Sequence, residues 1–327
     1  MSIIKEPLKV NNLTLKNRIV MPPMATSKSA DGKVTDDLLE YYAKRADGGD
    51  LGLIITEHCF INRAGQASVN QVSVAEDEDI EGLSRLAETI RKDGTKAFVQ
   101  ISHAGLNSCN DTVYGPSASI LPSGRNKDKE RVAFSKEEIK KLINDFAEAA
   151  LRVKKAGFDG VELHCAHGYL LNQFYSPLTN RREDEYGGPV QNRIRIVLET
   201  IKAVREKVGP DFPIAVRLGA SDYAEGGNTI EDGVFAAKEF EKAGADLIDV
   251  SGGFNGFTAK DESIPGYFKD ASAPIKAAVN VPVILTGGVT DIKDAKTLLE
   301  EGSADLIGVG RALFNDADWA RRSMSEC

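Results

Sequence analysis

His164 and His167 flank a short turn, and Tyr169 follows two residues later. Two imidazoles meeting at one point can hydrogen-bond a carbonyl or carboxylate oxygen, and a phenol beside them can deliver a proton. A histidine pair also starts many metal sites, but no third ligand stands at a suitable spacing, so no metal is expected. The competing reading keeps both rings as satisfied polar residues at the base of a loop. Two glycine clusters, Gly287-Gly288 and Gly310-Arg311, each follow an apolar run. Their backbone N–H groups suit a phosphate, to which Arg311 would add a fixed charge. The plainer alternative for both is the glycine of an ordinary helix start. Arg217 ends another apolar run, where a guanidinium needs an anionic or electron-rich partner. That partner is either a ligand or an internal carboxylate such as Glu162 or Glu57. Gln100 ends a further run, and its amide can read an imide-like ring edge or serve as a structural amide.

What must position these residues is a repeated unit: a helix end, a glycine, a nearby aspartate, then an apolar run. It appears in Ala46–Glu57, Lys155–His164, Lys242–Ser251 and Glu301–Gly310, with a looser copy in Lys92–Ile101. Glycine closes a helix in the left-handed conformation, and the apolar run reads as a buried parallel strand. Ser135 with Glu138 forms a capping box, followed by Ile139, Leu142, Ile143, Phe146 and Val153 at helical spacing. Ile194, Val197, Ile201, Val204 and Val208 make a second stripe. With strands near Ile19–Met24, Ile214–Leu218 and Val281–Thr286, the count reaches eight. Eight such units, with no G-x-G-x-x-G after the first strand, predict a closed (β/α)8 TIM barrel rather than an open sheet. Leu8–Leu15 alternates around Asn11-Asn12, a hairpin expected to plug the N-terminal mouth. Long inserts at 104–134 and 168–188 follow strands three and four and are expected over the ligand.

A barrel carries its chemistry at the C-terminal strand ends. Those ends read Pro22-Pro23-Met24-Ala25, Glu57-His58, Gln100 with His103, His164 with His167, Arg217, Ser251, Gly287-Gly288 and Gly310-Arg311, so all four histidines fall on them. The whole chain, 1–327, is expected to form one such barrel domain. A net charge of −8 with no basic stripe argues against nucleic-acid binding. No apolar run reaches the roughly 18–20 residues of a membrane span, and Met1–Leu8 does not read as a signal peptide. Four scattered cysteines without a C-x-x-C pair are expected to be reduced, in a cytoplasmic protein.

The stretch Val161–Gly188, which contains His164-Cys-Ala-His-Gly-Tyr169, resembles the Old Yellow Enzyme family of NAD(P)H:flavin oxidoreductases. Asn192-Arg193, Leu15–Met24, Gln100 with His103-Ala-Gly105, and Gly310-Arg311 match as well, so the resemblance spans the chain. It implies non-covalent FMN and NADH or NADPH as electron donor. In that resemblance Pro22, Pro23, Met24 and Ala25 lie along the isoalloxazine, Gln100 pairs with its pyrimidine edge and Arg217 sits near N1–C2=O. Gly287, Gly288, Gly310 and Arg311 hold the phosphate, and His58 contacts the flavin edge through its backbone. His164 and His167 polarise the carbonyl of an α,β-unsaturated substrate. Hydride leaves flavin N5 for the β-carbon, and Tyr169 protonates the α-carbon.

Three positions depart from the family. Ala25 stands where Cys or Thr often meets the flavin, so that contact is either missing or supplied by Thr26. Leu106 replaces an arginine of the substrate pocket, and His58 occupies a normally small position. The sequence is also similar to the barrel part of enoate and 2,4-dienoyl-CoA reductases, whose cysteine cluster and further domains are not expected here. Relatives form dimers or tetramers, so a homo-oligomer is a possible state. Three other readings compete with an ene-reductase. One is a flavin-dependent amine oxidase or demethylase, for which Tyr114, Phe254, Phe257 and Tyr267 would have to cage a cation. Another is a non-catalytic electron-carrier barrel. The last is a flavin-free aldolase, which would need a strand-end lysine that the sequence lacks.

Overall fold

Each glycine–aspartate unit folds as a helix end turning into a strand. The computed structural model describes residues 2–259 and 261–327; Met1 of the N-terminal segment and Lys260 of the 252–268 loop lie outside the described residues. Gly157 (φ 86°) and Gly244 (φ 111°) take the left-handed backbone that stops the preceding helix. The aspartate two or three residues after the glycine pins the new strand to its neighbour. Asp159 accepts the Ala97 N–H at 3.0 Å, Asp246 that of Ile214 at 2.9 Å, and Asp305 that of Val283 at 3.0 Å. A basic residue of a flanking helix, Arg91, Arg205 or Lys276, pairs with each of these carboxylates. The recurrence of aspartate in the repeat therefore has a structural cause.

The strands in chain order are β1 (Leu8–Val10), β2 (Leu13–Leu15), β3 (Ile19–Met21), β4 (Leu53–Phe60), β5 (Lys96–Ser102) and β6 (Thr112–Gly115). They continue with β7 (Glu130–Ala133), β8 (Gly160–Cys165), β9 (Ile214–Gly219), β10 (Leu247–Ser251), β11 (Val283–Thr286) and β12 (Leu306–Gly308). Eight of them close a parallel barrel in the order β3-β4-β5-β8-β9-β10-β11-β12, and β12 returns to β3. This is the (β/α)8 architecture that the repeat predicts. The first strand ends at Met21, so Pro22–Met24 lie beyond the ladder, as a proline pair without N–H donors requires. Helix Lys136–Lys155 starts on the Ser135–Glu138 capping box and is the longest in the chain.

Side chains alternate along every barrel strand. Leu53, Ile55, Phe98, Ala215, Leu247, Ile284 and Leu306 fill the lower barrel, where Val10 and Leu15 of the β1–β2 hairpin seal it from below. The opposite faces pack against the helices in a larger core. Continuing the same alternation upward places Gln100, Glu162, Arg217, Asp249 and Thr286 in the next inward layer. The 104–134 insert folds around the β6–β7 pair, and the 168–188 insert contains helix Leu170–Tyr175. Among the described residues no helix is long and apolar enough to cross a membrane.

Candidate active site

The C-terminal strand ends surround one cavity of about 460 Å3, inside the ~300–1,000 Å3 range of small-ligand sites. His164, His167 and Tyr169 line it from β8 and the following loop, and Pro22, Pro23, Met24 and Ala25 line it after β3. His58, Gln100 and Arg217 reach it from β4, β5 and β9, while Gly287, Gly288, Gly310 and Arg311 close its far end. The histidine pair, Tyr169, the Pro22–Ala25 segment, His58, Gln100, Arg217 and the two glycine clusters with Arg311 thus all meet on this cavity.

His103 does not. Its buried ring packs edge-on against Phe134, and Nδ1 accepts the Gly105 N–H at 3.0 Å. Three of the four strand-end histidines, not all four, face the cavity. Two further expectations also change. Thr26 does not replace the flavin contact missing at Ala25, because its hydroxyl donates to Glu57 Oε1 at 2.6 Å and the residue lies off the cavity wall. Leu106 does not reach the cavity; it packs with Val113 and Leu121 in a small separate cluster, and the neighbouring Asn107 lines the wall. Of the four aromatic residues considered for a cation cage, Phe257 and Tyr267 line the cavity while Tyr114 and Phe254 do not.

The floor is polar and buried. Gln100 Nε2 donates to Glu162 Oε1 at 2.9 Å, and Thr286 Oγ1 donates to Asp249 Oδ1 at 3.1 Å. Arg217 Nε lies 3.3 Å from Asp249 Oδ2, so its carboxylate is Asp249 on the adjacent strand and neither of the two glutamates first considered. Glu57 instead holds Thr26. Burial, and then the charge of Asp249, push Glu162 well above the usual carboxylate range. Burial raises Asp249 too, against the pull of Arg217. Ionisation of both carboxyls is thus disfavoured by burial, and the field of one guanidinium opposes that shift in each. Arg217 Nε and Glu162 Oε2 lack hydrogen-bond partners among the described residues, which leaves polar capacity at the cavity floor.

The histidine turn is strained and braced. His167 has φ 58°, uncommon for a residue with a Cβ, and Gly168 follows at φ 70°. Buried amides hold that shape: Asn172 Oδ1 accepts the Gly168 N–H at 2.8 Å, and Gln173 Nε2 donates to Gly168 O at 2.7 Å. As a result His164 and His167 have ring centroids 5.1 Å apart, and the Tyr169 ring lies 4.5 Å from His164. His167 Nε2 meets Ser251 Oγ at 2.8 Å, a partner visible in sequence only as a strand end. Burial, the neighbouring imidazoles and Arg217 push His164 well below the usual histidine range, and burial with Arg217 does the same to His167. Both are neutral at physiological pH and each can donate one N–H. Burial raises the Tyr169 phenol, opposed by Arg125, which also lines the cavity, so Tyr169 keeps its proton.

The wall carries three arginines, Arg125, Arg217 and Arg311, and no aspartate or glutamate, in a chain of net charge −8. Such a site selects an anion. Arg311 pairs with Glu262 across the rim. A flavin mononucleotide fits these residues: an apolar wall at Pro22–Ala25 for its ring, Gln100 and Arg217, whose Nε is ion-paired but makes no hydrogen bond among the described residues, at the ring edge, and Arg311 with three glycines for its phosphate.

Comparison with known proteins agrees with this fit. The model of the NADH:flavin oxidoreductase / NADH oxidase family matches residues 4–326. An NADH oxidase of Thermoanaerobacter brockii is 40% identical over 96% of this chain, which spans 50% of that relative, about half its length. An NADPH dehydrogenase of Bacillus subtilis is 37% identical over 98% of this chain and 94% of its own. The structure of an old yellow enzyme homologue from Zymomonas mobilis superimposes with a TM-score of 0.86 at 29% identity, covering 99% of this chain and 93% of that one.

Proposed function

The chain belongs to the NADH:flavin oxidoreductase / NADH oxidase family, enzymes of the Old Yellow Enzyme type that work with FMN and NADH or NADPH, and from that premise we propose that it reduces C=C bonds conjugated to a carbonyl group. The observation that carries this reading is the convergence of two neutral imidazoles and one protonated phenol on a single cavity wall. Bound flavin would supply the two-electron transfer between the nicotinamide and the unsaturated substrate. His164 and His167 hold the carbonyl oxygen by their N–H groups, a preorganised pair of donors at the atom where negative charge develops. Ser251 and the braced turn fix the orientation of His167. Tyr169 gives its proton to the α-carbon as general acid. Arg217 would set a positive charge near the flavin ring, and Gly287, Gly288, Gly310 and Arg311 would hold the phosphate.

The test is anaerobic. NADH or NADPH should bleach the flavin, and an enone such as cyclohexenone should restore its colour. Tyr169→Phe should slow reoxidation by about 10²–10⁴-fold, the usual contribution of a placed general acid, while bleaching persists. A double His164→Ala/His167→Ala change should abolish saturation by the enone. Flavin binding without enone reoxidation, or full reoxidation by Tyr169→Phe, would overturn the substrate assignment and leave the family unaffected.

A further inference from the structure

His58 stands beside Tyr169, and the hydrogen-bond chain behind it determines which of its nitrogens carries the proton. The chain starts at Gln71, a buried residue off the cavity wall. Pairing of Phe60 with Val72 and Val74 brings the 71–74 segment alongside the end of β4. Gln71 Oε1 accepts the Ala67 N–H at 2.7 Å, and Gln71 Nε2 lies 2.6 Å from His58 Nδ1 and 3.1 Å from His58 O. Reversing the amide would set NH2 against a backbone N–H and its oxygen against a carbonyl, so the orientation is fixed. Gln71 Nε2 therefore donates to His58 Nδ1, which must present a lone pair. Burial, and then Arg217, push His58 down to about 4, so the ring is neutral and its single proton sits on Nε2. Nε2 lies 3.5 Å from the Tyr169 oxygen, at the outer limit of a hydrogen bond, and the two rings meet edge to face at 5.2 Å.

The direction of this contact decides where the phenol hydrogen points. A His58 protonated on Nδ1 would accept the Tyr169 O–H and draw that proton away from any substrate. With Nε2–H facing the phenol oxygen, the tyrosine must aim its own hydrogen elsewhere, and the open side is the cavity. The same N–H faces the oxygen that turns negative once the proton has left. Arg125 lines the same wall as a further cation, and His164 flanks the phenol as a neutral ring. We infer that His58, held by Gln71 as the tautomer protonated on Nε2, is a positioning residue that turns the Tyr169 hydroxyl into the cavity. This rests on the reading of Tyr169 as the proton donor.

The flavin-loaded protein labelled with 15N-histidine tests it directly. The His58 signals, identified by their loss in a His58→Gln variant, should show an unprotonated Nδ1 and a protonated Nε2 at neutral pH. Gln71→Met, which removes the donor, should lose that pattern. It should slow enone reoxidation about tenfold, a fraction of a general acid's full contribution, while NAD(P)H bleaching stays within about twofold. An Nδ1–H or doubly protonated His58 in the unaltered protein overturns the inference without need of any variant. So does a Gln71→Met enzyme with the changed tautomer and an unchanged reoxidation rate. Absence of enone reoxidation in the unaltered enzyme sinks the proton-donor reading and this inference together. A wrong tautomer alongside normal turnover sinks only the inference.

Discussion

Arg217 holds together the buried charges of the floor before any ligand arrives. It lies within ion-pair distance of Asp249, and Glu162 shares its field. Breaking a buried pair by removing one partner leaves an uncompensated charge and costs about 3–5 kcal/mol. Arg217→Met should therefore lower the unfolding free energy of flavin-free protein, read from urea titration, by an amount of that order, with the slope unchanged. Adding Asp249→Asn should restore part of the loss, since the stranded carboxylate is then gone. An Arg217→Met protein as stable as its parent would show that the layer is not held by this cation. At this scale sequence reading reaches the residue but not its partner. Arg217 ends an apolar run and so announces a buried cation. Asp249 sits inside Leu247-Ile-Asp-Val and reads as part of a strand until β10 is known to lie beside β9. His58 is a sharper case. A register shift in β4 between Thr56 and Cys59 turns Glu57 toward Thr26 and His58 toward the cavity, and a bulge leaves no mark in the residue pattern.

At the scale of elements the repeat glycines differ in what they tolerate. Gly157 has φ 86° and open space where a Cβ would stand, so Gly157→Ala pays only the left-handed backbone penalty, about 1–2 kcal/mol. Gly160, three residues on in β8, has ordinary φ, but a Cβ there would lie 2.4 Å from the Phe98 ring in the barrel interior. Phe98 is fully buried and cannot move aside, so Gly160→Ala should cost at least as much, about 1–3 kcal/mol or more through overpacking. Trimming the neighbour distinguishes the two. In a Phe98→Leu background the penalty of Gly160→Ala should shrink while that of Gly157→Ala stays, as denaturant midpoints would show. Equal penalties in both backgrounds would refute the steric account. The barrel was legible because Gly157, Gly244 and their aspartates recur at one spacing, each for a local physical reason. The inserts were not, since the parallel β6–β7 pair and the helix Leu170–Tyr175 depend on contacts across distant loops.

For the molecule as a whole, closing the barrel brings all four histidines to one end, His103 and His164 buried and His58 and His167 half-buried, and that builds an acid sensitivity into the fold. Burial holds His58 down to about 4 and His103 to about 3, against 6.5 for the free side chain, with His164 and His167 well below their usual range. In the unfolded chain these rings take up protons as pH falls through 6.5, while the folded chain leaves them neutral. Stability rises with pH wherever the unfolded state binds more protons, so this contribution is complete above pH 6.5 and is lost toward the folded values. Glu57, raised by burial to about 7, works in the opposite sense, its penalty for ionising growing as pH rises from 4.5. The total curve mixes both, so a single ring must be isolated. His103 suits this because it lies off the cavity wall and its one hydrogen bond, from the Gly105 N–H, can be accepted by a glutamine oxygen. His103→Gln should destabilise the protein less at pH 4.5 than at pH 7. The difference expected from urea titrations is about 2–3 kcal/mol, at 1.36 kcal/mol for each unit between that pH and the unfolded value. A substitution penalty that is the same at both pH values would mean that His103 is already charged in the folded protein. The ring would then need a buried anionic partner, whereas the structure places it against Phe134.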